Sequence, residues 1–287
     1  MSLSSCCPIG GLIRSQQPDY CTRVAGGNSY DQLRKQSKHV VRTTADGSVS
    51  ATEAIQALAL GNERFRTGQP ERTHAGFDMR MALVDHGQAP IASVFGCSDS
   101  RVPIEILFDS MPGDLFVLRN AGNTCTHAEG SVVASLEFSA GALGTRLIVV
   151  VLGHTKCGAI TGAVKNYLSK KGQKGNGKAD SGKKTSLQLL LDGLCDVVEV
   201  AEKELGEGAT MDALITRAVR VNVAHTVDFL LKYSQPIREL VKQGKLEIHG
   251  AIYHLETGHV EFTGRSENEY QLLNSDALVP PAMAKAS

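Results

Sequence analysis

Neither sign of charge is in excess in this chain: 30 Lys and Arg stand against 30 Asp and Glu, and the sequence pI is about 7.1. A nucleic-acid binder carries a basic footprint, so that class is set aside. No apolar run approaches the ~20 residues that a membrane helix needs. The longest, such as LIVVVL at 147–152, stop far short of it. No secretory signal peptide is evident. The seven cysteines, at 6, 7, 21, 97, 125, 157 and 195, are odd in number and widely spaced. That usage argues against a disulfide framework and for a reducing, intracellular compartment in which thiolates stay free to bind metal. No C-x-x-C pair and no internal repeat occur either, so thiol–disulfide redox chemistry loses its usual motif.

What remains is an ordinary globular composition, 42% hydrophobic and 21% charged, with 287 residues to bury a core. Residues 1–47 lack periodicity and hold, up to Arg42, six Lys/Arg against two acids. They read either as an organelle transit peptide or as an N-terminal arm, partly disordered or lying on a partner subunit. The folded domain is expected over 48–264, opening on a helix capped by Ser50 or Thr52, with Ala54, Leu58, Ala59 and Phe65 at helical spacing. Apolar, β-branched runs at 91–96, 115–119, 147–153 and 246–253 predict strands covered on both faces. Helical patterns lie between them at 129–143, 186–205 and 211–234. Alternation of this kind predicts an α/β fold with a central, mostly parallel sheet flanked by helices. The segment 168–184, with six lysines and one acid, reads as a flexible basic loop, and 265–287 as a C-terminal tail. His225 falls on an apolar helical face and reads as a core residue.

Two stretches carry the chemistry. FGCSDSRV at 95–102 ends one apolar run, and LGHTKCGA at 152–159 ends another. Both fall at the carboxyl ends of predicted strands, the edge at which open α/β sheets bind ligands. His154 and Cys157, three apart at a helix start, would share a face, and neighbouring strands would bring Cys97 to them. Two thiolates and an imidazole select zinc over magnesium or calcium. Three protein ligands are the catalytic rather than the structural pattern. Asp99 is the fourth candidate: bound to the ion it closes the site, whereas paired with Arg101 it leaves room for water.

CSDSRV followed by GHTKCGA resembles the signature of the β-class carbonic anhydrases. PGDLFVLRNAGN at 112–123 and GAIYHLETGHVEF at 250–262 are also similar to that family. The resemblance spans about 50–263. It implies reversible hydration of CO2 to bicarbonate by a zinc-bound hydroxide, with Cys97, His154 and Cys157 as ligands and Asp99–Arg101 as the catalytic dyad. It also implies a homodimer or tetramer with sites near the subunit interface, and substrate contacts from Gly158 and Phe138. RNAGN at 119–123 is then scaffold around the site. Met111 stands where relatives carry glutamine and Phe138 where they carry tyrosine, so an amide that would orient bicarbonate is missing. Hydrolysis of carbonyl sulfide or carbon disulfide at the same zinc, or a zinc or bicarbonate sensor without turnover, are the alternatives. The cytoplasm is the expected compartment, or the chloroplast or mitochondrion if the arm is a transit peptide.

Overall fold

The computed structural model describes residues 48–71, 76–125, 130–173 and 184–275. The N-terminal arm, residues 174–183 of the basic loop and the last twelve residues of the tail therefore lie outside the described residues. Four strands run parallel: β1 (Ala92–Cys97), β2 (Leu115–Asn120), β3 (Leu147–His154) and β4 (Glu247–Tyr253). A fifth, β5 (Val260–Gly264), returns antiparallel to β4, and the order across the sheet is β2-β1-β3-β4-β5. The chain steps outward from β1 to β2 and then crosses back to place β3 on the other side of β1. Strand order therefore reverses between β1 and β3, and the crevice at their carboxyl ends is where such sheets take ligands.

Ten helices accompany the sheet among the described residues: α1 (Ala51–Arg66), α2 (Phe77–His86), α3 (Ile104–Leu107), α4 (Ser131–Gly141), α5 (Gly158–Gln173), α6 (Ser186–Gly193), α7 (Cys195–Leu205), α8 (Met211–Tyr233), α9 (Gln235–Lys242) and α10 (Glu269–Asn274). Alternate strand residues serve two cores. Phe95, Cys97, Ile148, Ile248 and Ile252 pack with α4, α5, α7, α8 and α9. Val94, Leu147, Leu152, Ala251 and Tyr253 pack with α1 and α3 on the opposite face. Ile148 and Leu152 would share a face in a regular strand. They part because a bulge between Phe95 and Gly96 on one side, and between Val150 and Leu152 on the other, shifts the register by one residue.

The cap of α1 is Ser50, not Thr52: its Oγ accepts from the Glu53 N–H while Glu53 accepts from the Ser50 N–H, a reciprocal box. Four expectations need correction. β2 is only half-buried because it is an edge strand. The helix expected over 186–205 is two helices. It breaks after Gly193, a weak helix former, where Leu194 turns into the core and is fully buried. Residues 168–173, read as the start of a loop, continue α5. His225 is exposed and lines a cavity of ≈ 520 Å³ between α8 and the strand end at Thr263–Gly264, because the buried stripe of α8 runs through 219, 222, 223, 226, 227 and 230.

One buried side chain fastens α1 to the loop after β4. Asn62 donates to the Leu107 and Gly258 carbonyls and accepts from the Val260 N–H, at 3.2, 2.9 and 2.8 Å. Asn62→Ala strands these buried backbone groups, each worth ~1–3 kcal/mol when left unpaired. We expect a loss of about 3 kcal/mol in the free energy of urea unfolding. A change below ~0.5 kcal/mol, ordinary for a surface site, would remove Asn62 from this role.

Candidate metal centre

Cys97 closes β1 and is buried because the strand is covered on both faces. His154 closes β3, its neighbour, and the bulge draws that strand end back by one residue toward the level of Cys97. Cys157 precedes α5. The pair does not share a helical face, as the spacing had suggested. Thr155 and Lys156 form a turn outside the helix, with Lys156 in the left-handed region at φ 56°, and this turn folds Cys157 back beside His154. The two sulfurs and the imidazole nitrogen lie within 4.8 Å of one another, and all three side chains are buried.

The surroundings fit this cluster to a soft divalent ion. His154 Nδ1 lies 2.9 Å from the Thr155 carbonyl, which only accepts, so Nδ1 carries the proton and Nε2 presents a lone pair. That Nε2 is buried and has no hydrogen-bond partner among the described residues, a state that polar atoms avoid unless they have another ligand to serve. The Gly122 N–H donates to Cys97 Sγ at 3.4 Å, the Asp99 backbone also favours the Cys97 thiolate, and the Ile160 and Ala159 backbone favours that of Cys157. The Cys157 thiol beside it, then His154 and the Asp99 and Gly122 backbone, draw the Cys97 thiol far below its ordinary value against the opposing effect of burial. Cys157 moves upward, first because Cys97 lies beside it and then because it is buried. The pair thus behaves as two sulfurs around one proton, and a cation that replaces the proton relieves both. Two sulfurs and one nitrogen are a donor set for zinc.

Asp99 stands beside the cluster and not in it. Arg101 grips the carboxylate as a fork, Nε to Oδ1 at 2.9 Å and Nη2 to Oδ2 at 2.7 Å, and the Arg101 backbone N–H adds a third bond at 2.9 Å. These bonds hold the Asp99 carboxyl well below the usual carboxylate range. Oδ2 remains 3.8 Å from His154 Nε2. Arg101 also donates to the Lys156 carbonyl at 3.3 Å, linking the dyad to the turn between His154 and Cys157. The far side of that turn is held by Glu256, which accepts from Thr155 Oγ1 at 2.8 Å and pairs with Lys156 at 2.9 Å.

Three comparisons place this arrangement. Residues 92–260 match the family model described as carbonic anhydrase. The chain is 35% identical over 208 residues to "Carbonic anhydrase 2" of Mycobacterium tuberculosis, across 71% of this chain and 89% of that one. A solved β-carbonic anhydrase of Aspergillus fumigatus superposes with a TM-score of 0.56 at 26% identity, over 77% of this chain and 94% of that one. The chain belongs to the β-carbonic anhydrase family. Tetrameric β-carbonic anhydrases of Sordaria macrospora are also similar, with TM-score 0.54 and 27% identity over 72% of this chain and 95% of the other.

Within one chain of this β-carbonic anhydrase, the fold brings together Cys97, His154, Cys157, Asp99 and Arg101. Gly158 opens α5 next to Cys157 and is exposed. Phe138 is not brought to the cluster. It sits on α4, 51% exposed, with its ring 6.2 Å from that of Phe116, four residues short of the carboxyl end of β2. RNAGN does serve as scaffold: Arg119 donates to the Cys97 and Asp99 carbonyls at 3.0 and 2.7 Å. Gly122 as a donor to sulfur, and Glu256 as a brace, were not singled out from the sequence. The two left-handed glycine and asparagine positions in RNAGN were the available signal for the first; nothing in the spacing pointed to the second.

Cys125 is buried away from the cluster, and burial alone pushes its thiol up to about 12. An unfolded thiol titrates near ~8.5, so above that pH the unfolded chain has released a proton that the folded chain keeps. The stabilisation is complete below pH ~8.5 and fades as pH rises, by up to ~1.4 kcal/mol per pH unit. Unfolding free energies of wild type and Cys125→Ala at pH 8 and 9.5 isolate this slope. The variant should lose less over that interval, and equal losses would rule out the titration.

Proposed function

We propose that this β-carbonic anhydrase hydrates CO2 reversibly to bicarbonate and a proton, with zinc held by Cys97 Sγ, His154 Nε2 and Cys157 Sγ. Asp99 and Arg101 direct the reacting water. The observation that carries the reading is the Arg101 fork on Asp99, which keeps the carboxylate ionised and beside the donor set rather than among the donors. A site built only to hold structure has no need of that pair. When bound, zinc supplies the Lewis acidity that brings loss of a water proton toward neutral pH.

The chain's own residues supply orientation. Asp99, fixed by Arg101, accepts a hydrogen bond from the reacting water and aims its lone pair at CO2. The backbone N–H at Gly158, at the start of α5, steadies an oxygen of the bicarbonate that forms. Phe138 reaches substrate from a partner subunit, which makes the working unit a homodimer or tetramer. Exposed apolar side chains at Leu60, Val84, Ile106 and Phe138 are consistent with surface buried by assembly. No helix among the described residues is long and apolar enough to cross a membrane.

Metal analysis of the purified chain, stopped-flow CO2 hydration and light scattering of the native particle test the three parts separately. One zinc per chain, rapid hydration and a particle of two or four chains are expected. Sulfide release from carbonyl sulfide without CO2 hydration would move the chemistry to the hydrolase alternative. Zinc without either activity would leave a sensor.

A further inference from the structure

We propose that Asn222, on α8, is a positioning residue for the Cys97 sulfur and acts through Gly122; the inference rests on the reading of Cys97 as a zinc ligand. The buried stripe of α8 is otherwise mostly apolar, with Leu214, Ala218, Val219, Val223, Val227 and Leu230. Asn222 is 1% exposed in the middle of it. Its Nδ2 donates to the Gly122 carbonyl at 2.9 Å, across 100 residues of chain. Among the described residues its Oδ1 has no partner, nor have Thr226 Oγ1 one turn further along the helix and Nδ2 of Asn123 beside Gly122. The amide cannot be reversed to help, because Oδ1 would then face the Gly122 carbonyl. An apolar residue here would avoid the unpaired Oδ1 but would strand the Gly122 carbonyl. What asparagine adds is the one bond to Gly122.

That bond holds a strained turn. Gly122 lies at φ 76° and Asn123 at φ 44°, and the left-handed region costs a residue with a side chain about 1–2 kcal/mol. Strain of this kind persists where the surroundings over-determine the backbone. Here Asn120 braces the base, accepting from the Thr124 N–H at 3.0 Å and donating to the Thr124 carbonyl at 2.8 Å. Asn222 holds the apex. On the other flank, a Cβ at Gly122 would stand 3.0 Å from the Ala159 side chain, so the turn is seated against the first residues of α5. The turn delivers its product at once: the Gly122 N–H donates to Cys97 Sγ at 3.4 Å. Remove Asn222 and the turn relaxes toward ordinary backbone angles, carrying that N–H off the sulfur.

Partners one step removed from a metal ligand typically cost 10–100-fold in affinity when lost, so a weakening of about that size is expected. The variants are Asn222→Leu, branched at the same atom with no donor, and Asn222→Val, smaller with no donor. Zinc affinity is read by competition with a chromogenic chelator, and the thiolate-to-cobalt charge-transfer band by loading cobalt(II). Weaker zinc and a shifted band in a folded variant support the role. Affinities within twofold of wild type and superimposable bands overturn it, while stoichiometric zinc in wild type leaves the ligand reading standing. Wild-type protein that takes up no zinc overturns the ligand reading and this inference with it. If neither variant folds, the decision passes to wild type loaded with cadmium-113. A scalar coupling from the metal to the Gly122 amide proton across the N–H···S bond supports the role, and its absence overturns it.

Discussion

Asp99→Asn should cut kcat for CO2 hydration by about 10²–10³-fold while zinc stays bound at one per chain, the loss typical when one preorganised polar group is withdrawn from a reacting centre. The substitution keeps the shape of the side chain but exchanges a carboxylate oxygen for an NH2 group. One tooth of the Arg101 fork then meets a donor instead of an acceptor, and the backbone bond from Arg101 to Oδ1 can hold only one of the two orientations. The amide nitrogen also cannot accept the hydrogen bond that aims the reacting water. The metal should stay because Cys97, His154 and Cys157 form the cluster without Asp99. Stopped-flow rates on samples of measured zinc content decide it. Wild-type turnover at full zinc occupancy would end the dyad reading, and zinc loss in step with activity would make Asp99 a ligand.

His154→Ala is the complementary case, in which metal and activity should go together. The variant leaves two sulfurs and no nitrogen, and Asp99 remains held by Arg101 rather than free to replace it. Zinc content should fall below about a tenth per chain and hydration to the rate of buffer. An ion present at 1,000 times its dissociation constant stabilises a fold by ~4 kcal/mol. For a domain of this size 1 kcal/mol corresponds to ~2–4 °C, so the variant should melt about 10 °C lower. Wild type stripped by a strong chelator should melt at the same temperature, and zinc should restore only the wild type. A variant that keeps one zinc per chain would overturn the assignment of His154.

The fold showed in the sequence wherever a segment had a single way to bury itself. The β1 and β3 runs, and β4 from Gly250 on, are almost wholly apolar because both faces are covered, and that leaves a direct trace. The start of α1 is equally local and was placed by the sequence at Ser50 or Thr52; the box with Glu53 decides for Ser50. The site was legible in part for the same reason: Cys97 and His154 end two such runs, and Arg101 lies at the offset that lets it fold back on Asp99. What escaped depends on partners far along the chain. The break at Leu194 follows from the space that residue fills in the core, which helical periodicity does not encode. The exposure of His225 depends on which way α8 is rotated against the sheet. The turn that unites His154 with Cys157 uses a lysine at φ 56°, a conformation no preference of lysine announces. Asn62 reads as one more polar residue on a helix until Leu107, Gly258 and Val260 surround it.

The offset between β1 and β3 has a practical consequence. Cys97 and His154 belong to strands paired across a one-residue irregularity, with Gly96 opposite Leu152. A slip of one place in that ladder would turn a side chain to the opposite face of the sheet and separate the donors. Tight uptake of metal is therefore a gauge of correct strand alignment, and the zinc content of a preparation measures the fraction of chains whose central ladder closed in the native phase.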